Sequence, residues 1–389
     1  MSDLDDLDAL ADALNGVTDG KARHARLDAP AMSGGADSKL DAWLRLLAER
    51  RGSDLLLIAG EPPTIRINGL LQRSESSPLD GLEIEELVVP VLPPHAQKDF
   101  RERGIADASR ALAGVGRFRI NLHRERGRAA AVIRALPRRI PTLASLDLPP
   151  GTEALSKLSR GLVLIGGATG SGKSTTLAAI VDEINRRDAK HIITVEDPIE
   201  FEHTNQKSII QQIEIGIDAP DFPTALRSAL RQAPDVLVVG EMRDAETMKI
   251  ALAAGETGHL VFSTLHTSDT ASTIARIADS FPGERQNTIR QEIAAALSAV
   301  FVQTLVPRVA GGRIPAAELL MVGYGARAHI RRNALQHLHQ EVTLTRKSGS
   351  LSLEECLARL VRTGLIERSE GLGRAIHPDD FELALKQGT

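Results

Sequence analysis

Four aliphatic residues, Leu162 to Ile165, give way at once to Gly166-Gly167-Ala168-Thr169-Gly170-Ser171-Gly172-Lys173-Ser174-Thr175-Thr176. This abrupt loss of side chains constrains the fold more than any other feature of the chain. A short apolar run bounded by glycine suits a strand buried on both faces. Downstream, Leu177, Ile180, Val181 and Ile184 recur at helical spacing. Residues 167–174 therefore fit G-x-x-x-x-G-K-[ST] in the strand–loop–helix context that this pattern requires. Glycine lets the backbone turn its N–H groups inward around an oxyanion. A helix starting near Lys173 adds the positive end of its dipole. The reading is a phosphate cradle of Gly167, Thr169, Gly170, Ser171, Gly172 and Thr175, with Lys173 reaching the β- and γ-phosphates of a nucleotide and Ser174 ligating Mg²⁺.

The same strand signal returns at His191–Val195, Val236–Val239 and His259–Leu265, with longer helical stretches between. That alternation predicts an α/β domain with a parallel sheet. From Gln286 the pattern predicts mainly helix, with Ile289, Ile293, Leu297, Val300 and Leu305 on one long helix and another over 352–361. Upstream, Leu40, Trp43, Leu44 and Leu47 make one helical face, capped by Asp37 or Ser38. Strand-like runs follow at 54–59, 64–68, 117–122 and 129–136, which predict a small α+β domain. The Pro-flanked LPRRIPT, 136–142, reads as a linker. Six Asp and no Lys or Arg precede Lys21, so residues 1–37 are expected to form a flexible acidic extension, with Leu4, Leu7, Leu10 and Leu14 spaced for a short helix or a partner-docking one. The expected division is 1–37, 38–140 and 141–389.

Two acids, Glu196 and Asp197, end the run Ile192–Val195. In open α/β sheets the carboxyl ends of strands face the ligand crevice, where a carboxylate can orient or deprotonate water. Glu196 is assigned that role; Asp197-Pro198 also fits a capping Asp before a turn. Asp235-Val236-Leu237-Val238-Val239-Gly240-Glu241 resembles a Walker B element whose acid, Glu241, holds Mg²⁺ through water or polarises the nucleophile. His259 and His266 bracket one strand. Seven extended residues span about 23 Å, so the two cannot share one phosphate. His266, at the carboxyl end, is the expected phosphate sensor, and His259 is assigned to another surface or a subunit contact.

Totals narrow the class. With 47 basic and 51 acidic residues the net charge is −4, so no global positive field draws the chain to nucleic acid. Aromatics are too scarce, with eight Phe, one Tyr and one Trp, for base-stacking platforms. That disfavours the rival reading, a nucleic-acid translocase. The single cysteine, Cys356, excludes an internal disulfide and a Cys-rich zinc site, and suits a reducing cytoplasm. No apolar run approaches the ~18 residues of a membrane span. The acidic start does not suit a secretory signal, so any membrane link is expected to run through a partner.

With four motifs in order, the chain closely resembles the secretion-system hexameric ATPases, nearest the PilT-type pilus retraction motors. The motifs are a Walker A (GATGSGKST), an Asp box (ITVEDPIEF), a Walker B (PDVLVVGEMRD) and a His box (TGHLVFSTLHT). SDLLLIAGEPPTIRINGLL and GRFRINLHRERG resemble the family's PAS-like N-terminal domain. The resemblance covers about Gly52 to Leu365. It implies a RecA-like P-loop core, hydrolysis of ATP with Mg²⁺ in a cytoplasmic homohexamer, and an inner-membrane pilus platform protein as partner. It also implies that Arg119 and Arg134 close over the phosphates from the small domain, with Arg227 and Arg231 as weaker candidates. Assembly, type II or IV secretion, or DNA uptake by a paralogue is the alternative. Leu56 stands where the family has His, and GARAHIRRNAL, 325–335, departs from its AIRNLIRE signature.

Overall fold

The computed structural model describes residues 38–387. The expectation for 1–37 lies outside them. The chain divides between Leu136 and Pro137 into two compact units. Among the described residues the strands form one sheet of six and one of seven.

In the first unit, helix α1 (Lys39–Glu49) starts where the Ser38 side chain accepts from the Asp41 N–H at 3.2 Å. Its Trp43, Leu44 and Leu47 are buried. Strands β1 (Asp54–Leu57), β2 (Thr64–Ile67) and β3 (Leu70–Arg73), helices α2 (Gly81–Val88) and α3 (Pro94–Arg103), then β4 (Ile105–Leu112), β5 (Gly116–Glu125) and β6 (Arg128–Ala135) complete the unit. The sheet runs β3-β2-β1-β6-β5-β4 and is antiparallel throughout. Period-2 alternation gives it one dry face: Phe118, Ile120 and Leu122 of β5 join Leu55, Leu57 and Ile133 in the core with α1, α2 and α3. Arg117 and Arg119 point to the other face. Strand β4, IADASRAL, is too poor in β-branched residues to announce itself in the sequence.

The second unit contains α4 (Thr152–Leu155), β7 (Gly161–Gly166), α5 (Lys173–Arg187), β8 (His191–Glu196), β9 (Ile209–Glu214), α6 (Phe222–Ala229), β10 (Val236–Val239), α7 (Ala245–Glu256), β11 (Leu260–Leu265), α8 (Thr270–Asp279) and α9 (Gly283–Ala296). A hairpin, β12 (Leu297–Pro307) and β13 (Arg313–Met321), follows, then α10 (Tyr324–Arg331), α11 (Leu338–Leu344), α12 (Leu353–Arg362), α13 (Arg368–Leu372) and α14 (Pro378–Lys386). The sheet order is β13-β12-β7-β11-β10-β8-β9. All neighbours are parallel except β12 and β13. Alternate residues feed two cores. Val163, Ile165, Val238 and Phe262 pack with Leu177, Ile180 and Ile184 of α5. Leu164, Val195, Val239 and Val261 pack on the opposite face with α6 through α9.

The long helix expected from Gln286 is corrected. Helix α9 stops at Ala296, and Leu297, Val300 and Leu305 lie in β12. Continuous apolar sequence does not separate a doubly buried strand from a buried helix, and β12 is covered on both faces: Val300 and Val302 pack in the core with α6 through α9, and Ala299 and Phe301 in the core with α5. The turn signal was the Gly311-Gly312 pair, both with positive φ (85° and 79°), which closes the hairpin to β13.

Candidate functional site

Strand register places the candidate residues. Gly166 of β7 lies opposite Leu265 of β11, Ser263 opposite Val239 of β10, and Val239 opposite Val195 of β8. The residues that leave these strands, Gly167, His266, Gly240-Glu241 and the terminal Glu196, therefore share one carboxyl edge. His259 does not. It precedes β11 at the opposite edge, where its carbonyl accepts from the Gly161 N–H and its Nδ1 lies 3.2 Å from the Ala254 carbonyl at the end of α7. Within this unit the structure sets it apart from the loop.

The loop holds its shape through backbone that only glycine adopts comfortably. Gly167 has φ +146° and Gly172 φ +91°. A β-carbon at Gly167 would meet the Gln303 carbonyl oxygen and Ser171 Oγ, and one at Gly172 would lie 2.8 Å from Gln303 Nε2. Helix α5 begins at Lys173, so its first N–H groups open on the loop. Ser174 and Thr175, both half-buried, sit in that first turn.

Lys173 is the buried cation of the site. Its Nζ donates to the carbonyls of Gly167 (2.8 Å) and Ala168 (3.0 Å) and lies 3.5 Å from His266 Nδ1. Burial pulls its pKa below the ordinary lysine value, against the opposing charges of Glu241 and Glu200. His266 joins the two sides of the site: Nδ1 lies 3.4 Å from Thr169 Oγ1, and Nε2 lies 3.6 Å from Glu241 Oε1. Glu241 Oε2 pairs with Arg243 at 2.9 Å. Burial alone would push the Glu241 carboxyl up, but Arg243, His266 and Lys173 more than offset it and hold it below the usual range. Thr264 Oγ1 donates to the Gly240 carbonyl at 2.6 Å, tying the His-bearing strand to the turn that carries Glu241.

Glu196 stands one strand further out. Its carboxylate accepts from Thr194 Oγ1 (2.7 Å) and Gln212 Nε2 (3.3 Å). Burial raises its pKa despite both bonds. Arg227 pairs with Glu246, and Arg231 is exposed in the turn after α6. In the first unit, Arg119 of β5 and Arg134 of β6 are cross-strand partners, and Arg134 faces Asp54 of β1. Arg134 Nε donates to Asp54 Oδ1 at 2.9 Å, and Arg119 lies 3.6 Å from Asp107. The two arginines thus form an exposed pair on the sheet's wet face.

Sequence reasoning missed Arg243 and Gln303. Arg243 was legible as the basic member of GEMRD. Gln303 is a rare polar residue in an apolar run, but that run was assigned to a helix. Among the described residues no cluster of three or more His, Cys, Asp or Glu side chains could hold a metal ion, and no helix is long and apolar enough to cross a membrane.

A glycine-built cradle with a buried lysine, opening on an acid and a histidine at the carboxyl edge of a parallel sheet, defines a P-loop nucleotide-binding domain. Residues 69–362 match the family described as type II/IV secretion system protein, and the chain belongs to that family. It is 40% identical to the type IV pilus retractation ATPase PilT of Pseudomonas aeruginosa over 87% of this chain and 98% of that protein. It is 36% identical to the type IV pilus ATPase PilU of the same organism over 90% and 92%. The crystal structure of the pilus retraction motor PilT with bound ADP superposes with a TM-score of 0.80 at 39% identity, covering 87% of this chain and 98% of that one.

Proposed function

We propose that this chain binds and hydrolyses ATP with Mg²⁺ and, as a homohexamer, powers retraction of type IV pili. The observation that carries the reading is the meeting of Lys173, Thr169, His266 and Glu241 at one sheet edge, in a chain 40% identical to PilT over 87% of its length. The Gly167–Thr175 backbone would bind phosphate oxygens, and Lys173 would exchange its carbonyl partners for them, which offsets the cost of burying its charge. The Ser174 hydroxyl and the ionised Glu241 carboxylate are hard oxygen donors that suit Mg²⁺, an ion held by one or two protein oxygens plus phosphates rather than by a protein cage. Bound there, Mg²⁺ would neutralise charge on the transferred phosphoryl group. Glu196, with its raised pKa, would orient or deprotonate the attacking water. His266, touching both loop and acid, would report the γ-phosphate. Arg119 and Arg134 would supply the closing cations, and closure repeated around a ring would give motion. The chain would act in the cytoplasm, reaching the inner membrane through a platform protein.

Phosphate release by the purified oligomer tests the chemistry. Glu241→Gln should lower turnover by at least ~10²-fold while ADP and ATP binding persist; turnover near the parent rate removes Glu241 from the mechanism. Deleting the gene and counting surface pili tests the biology: excess, non-retracting pili fit retraction, and absent pili mean assembly or secretion. A second reading, a paralogue with an auxiliary role, is compatible with the 36% identity to the type IV pilus ATPase PilU. Normal retraction in the deletion strain would select it.

A further inference from the structure

Gln303 lies in the middle of β12 with 4% of its surface exposed. Its Nε2 donates to the Ser171 carbonyl at 2.7 Å, and its Oε1 accepts from Thr176 Oγ1 at 2.7 Å. Only the nitrogen can donate to a carbonyl, so the bond to Ser171 fixes the orientation of the amide. The two partners flank the lysine: Ser171 ends the loop two residues before it, and Thr176 lies in the first turn of α5. The backbone of the same residue bounds the loop from below, through the contact of its carbonyl with the space beside Gly167, and its amide fills the space beside Gly172.

We propose that Gln303 is a positioning residue for nucleotide binding. Its amide clamps the second half of the phosphate loop to the first turn of α5, so that the N–H groups of residues 170–175 keep the spacing an anion needs. The inference rests on the nucleotide-binding reading above. Two buried hydrogen bonds from one strand reach the two segments that must converge, and among the described residues no other side-chain hydrogen bond joins Ser171 to Thr176. The strand itself is anchored: Val306, three residues on, packs in a core with Cys356, Leu357 and Phe381 of the C-terminal helices. The loop is therefore held by the hairpin that the C-terminal helices brace.

The test uses the full-length protein, a fluorescent ADP analogue for Kd, and ATP turnover for kcat and KM. Gln303→Leu, close in size but without either bond, should weaken Kd and raise KM about tenfold, or ~1.4 kcal/mol. Its kcat should stay within about threefold, because loop contacts serve ground and transition states alike. Thr176→Val should weaken binding about threefold and add little in the Gln303→Leu background, the non-additivity of a shared contact. Gln303→Glu can donate to Ser171 only when protonated, so its affinity relative to the parent should recover as pH falls from 8 to 6. A folded Gln303→Leu with Kd and KM within twofold of the parent overturns the inference. If Gln303→Leu does not fold, parent affinity in Thr176→Val overturns it. Lys173→Ala separates the two levels: a parent that binds no nucleotide removes the underlying reading and the inference with it, whereas a parent that binds, a Lys173→Ala variant that does not, and an unaffected Gln303→Leu sink the clamp alone.

Discussion

Gly167→Ala and Gly170→Ala add the same methyl group to the same loop, and the structure separates their consequences. At Gly167 the new β-carbon falls inside 3.0 Å of the Gln303 carbonyl oxygen and of Ser171 Oγ. The hydroxyl can rotate away. The carbonyl cannot, because it belongs to a buried strand held between β7 and β13. The loop must therefore retreat by on the order of 1 Å, a displacement that costs about 10²-fold where geometry matters. The +146° φ adds backbone strain of about 1–3 kcal/mol, which for a unit of this size lowers Tm by roughly 2–4 °C per kcal/mol. At Gly170, φ is +77° and nothing lies within 4 Å of the new carbon, so only the left-handed penalty of about 1–2 kcal/mol remains. ATP turnover should thus fall about 10²-fold for Gly167→Ala and no more than about threefold for Gly170→Ala, with thermal melts recording the strain. Equal losses of turnover, or a larger one at Gly170, would refute the packing argument.

Three further outcomes follow from the same geometry. Thr194→Val removes a hydrogen bond that stabilises the Glu196 carboxylate, whose pKa burial already raises; if Glu196 must be ionised in turnover, the acid limb of the kcat–pH profile should move to higher pH, and an unmoved limb would assign it to another group. His266→Ala should lower ATP turnover and weaken nucleotide binding, whereas His259→Ala, altering a residue at the far end of β11, should leave affinity in the isolated subunit unchanged; a loss of affinity in the second variant contradicts the register. Burial pushes the Asp54 carboxyl up, but hydrogen bonds from Arg134 and Ser53 and the charge of Arg66 hold it below its ordinary value of 3.8. That stabilisation is present above the unfolded pKa and lost as pH falls through the folded one. Because Arg134 is largely exposed, Arg134→Ala should cost only about 0.5–1 kcal/mol at pH 7, and urea titrations should show the difference from the parent shrinking toward pH 3.

Parts of the molecule that depend on consecutive residues were legible without coordinates. The cradle of Gly167 to Ser174 needs only a strand, a run of positive-φ positions and a helix start, all written within a dozen residues. The Ser38 cap and the apolar face of α1 are local in the same sense, as are the doubly buried strands β7, β8, β10 and β11. What tertiary structure decided involves residues far apart in the chain. Leu297 to Pro307 became a strand because β7 and β13 offered it edges on both sides, and no periodicity within the run encodes those neighbours. Gln303 grips Ser171 across 132 positions. His266 meets Lys173 across 93, and Arg134 reaches Asp54 across 80. Local sequence sets backbone geometry through φ/ψ sterics and hydrogen bonds along the chain. Which side chains then share a site depends on strand order and register, which emerge only when separate segments bury their apolar faces together.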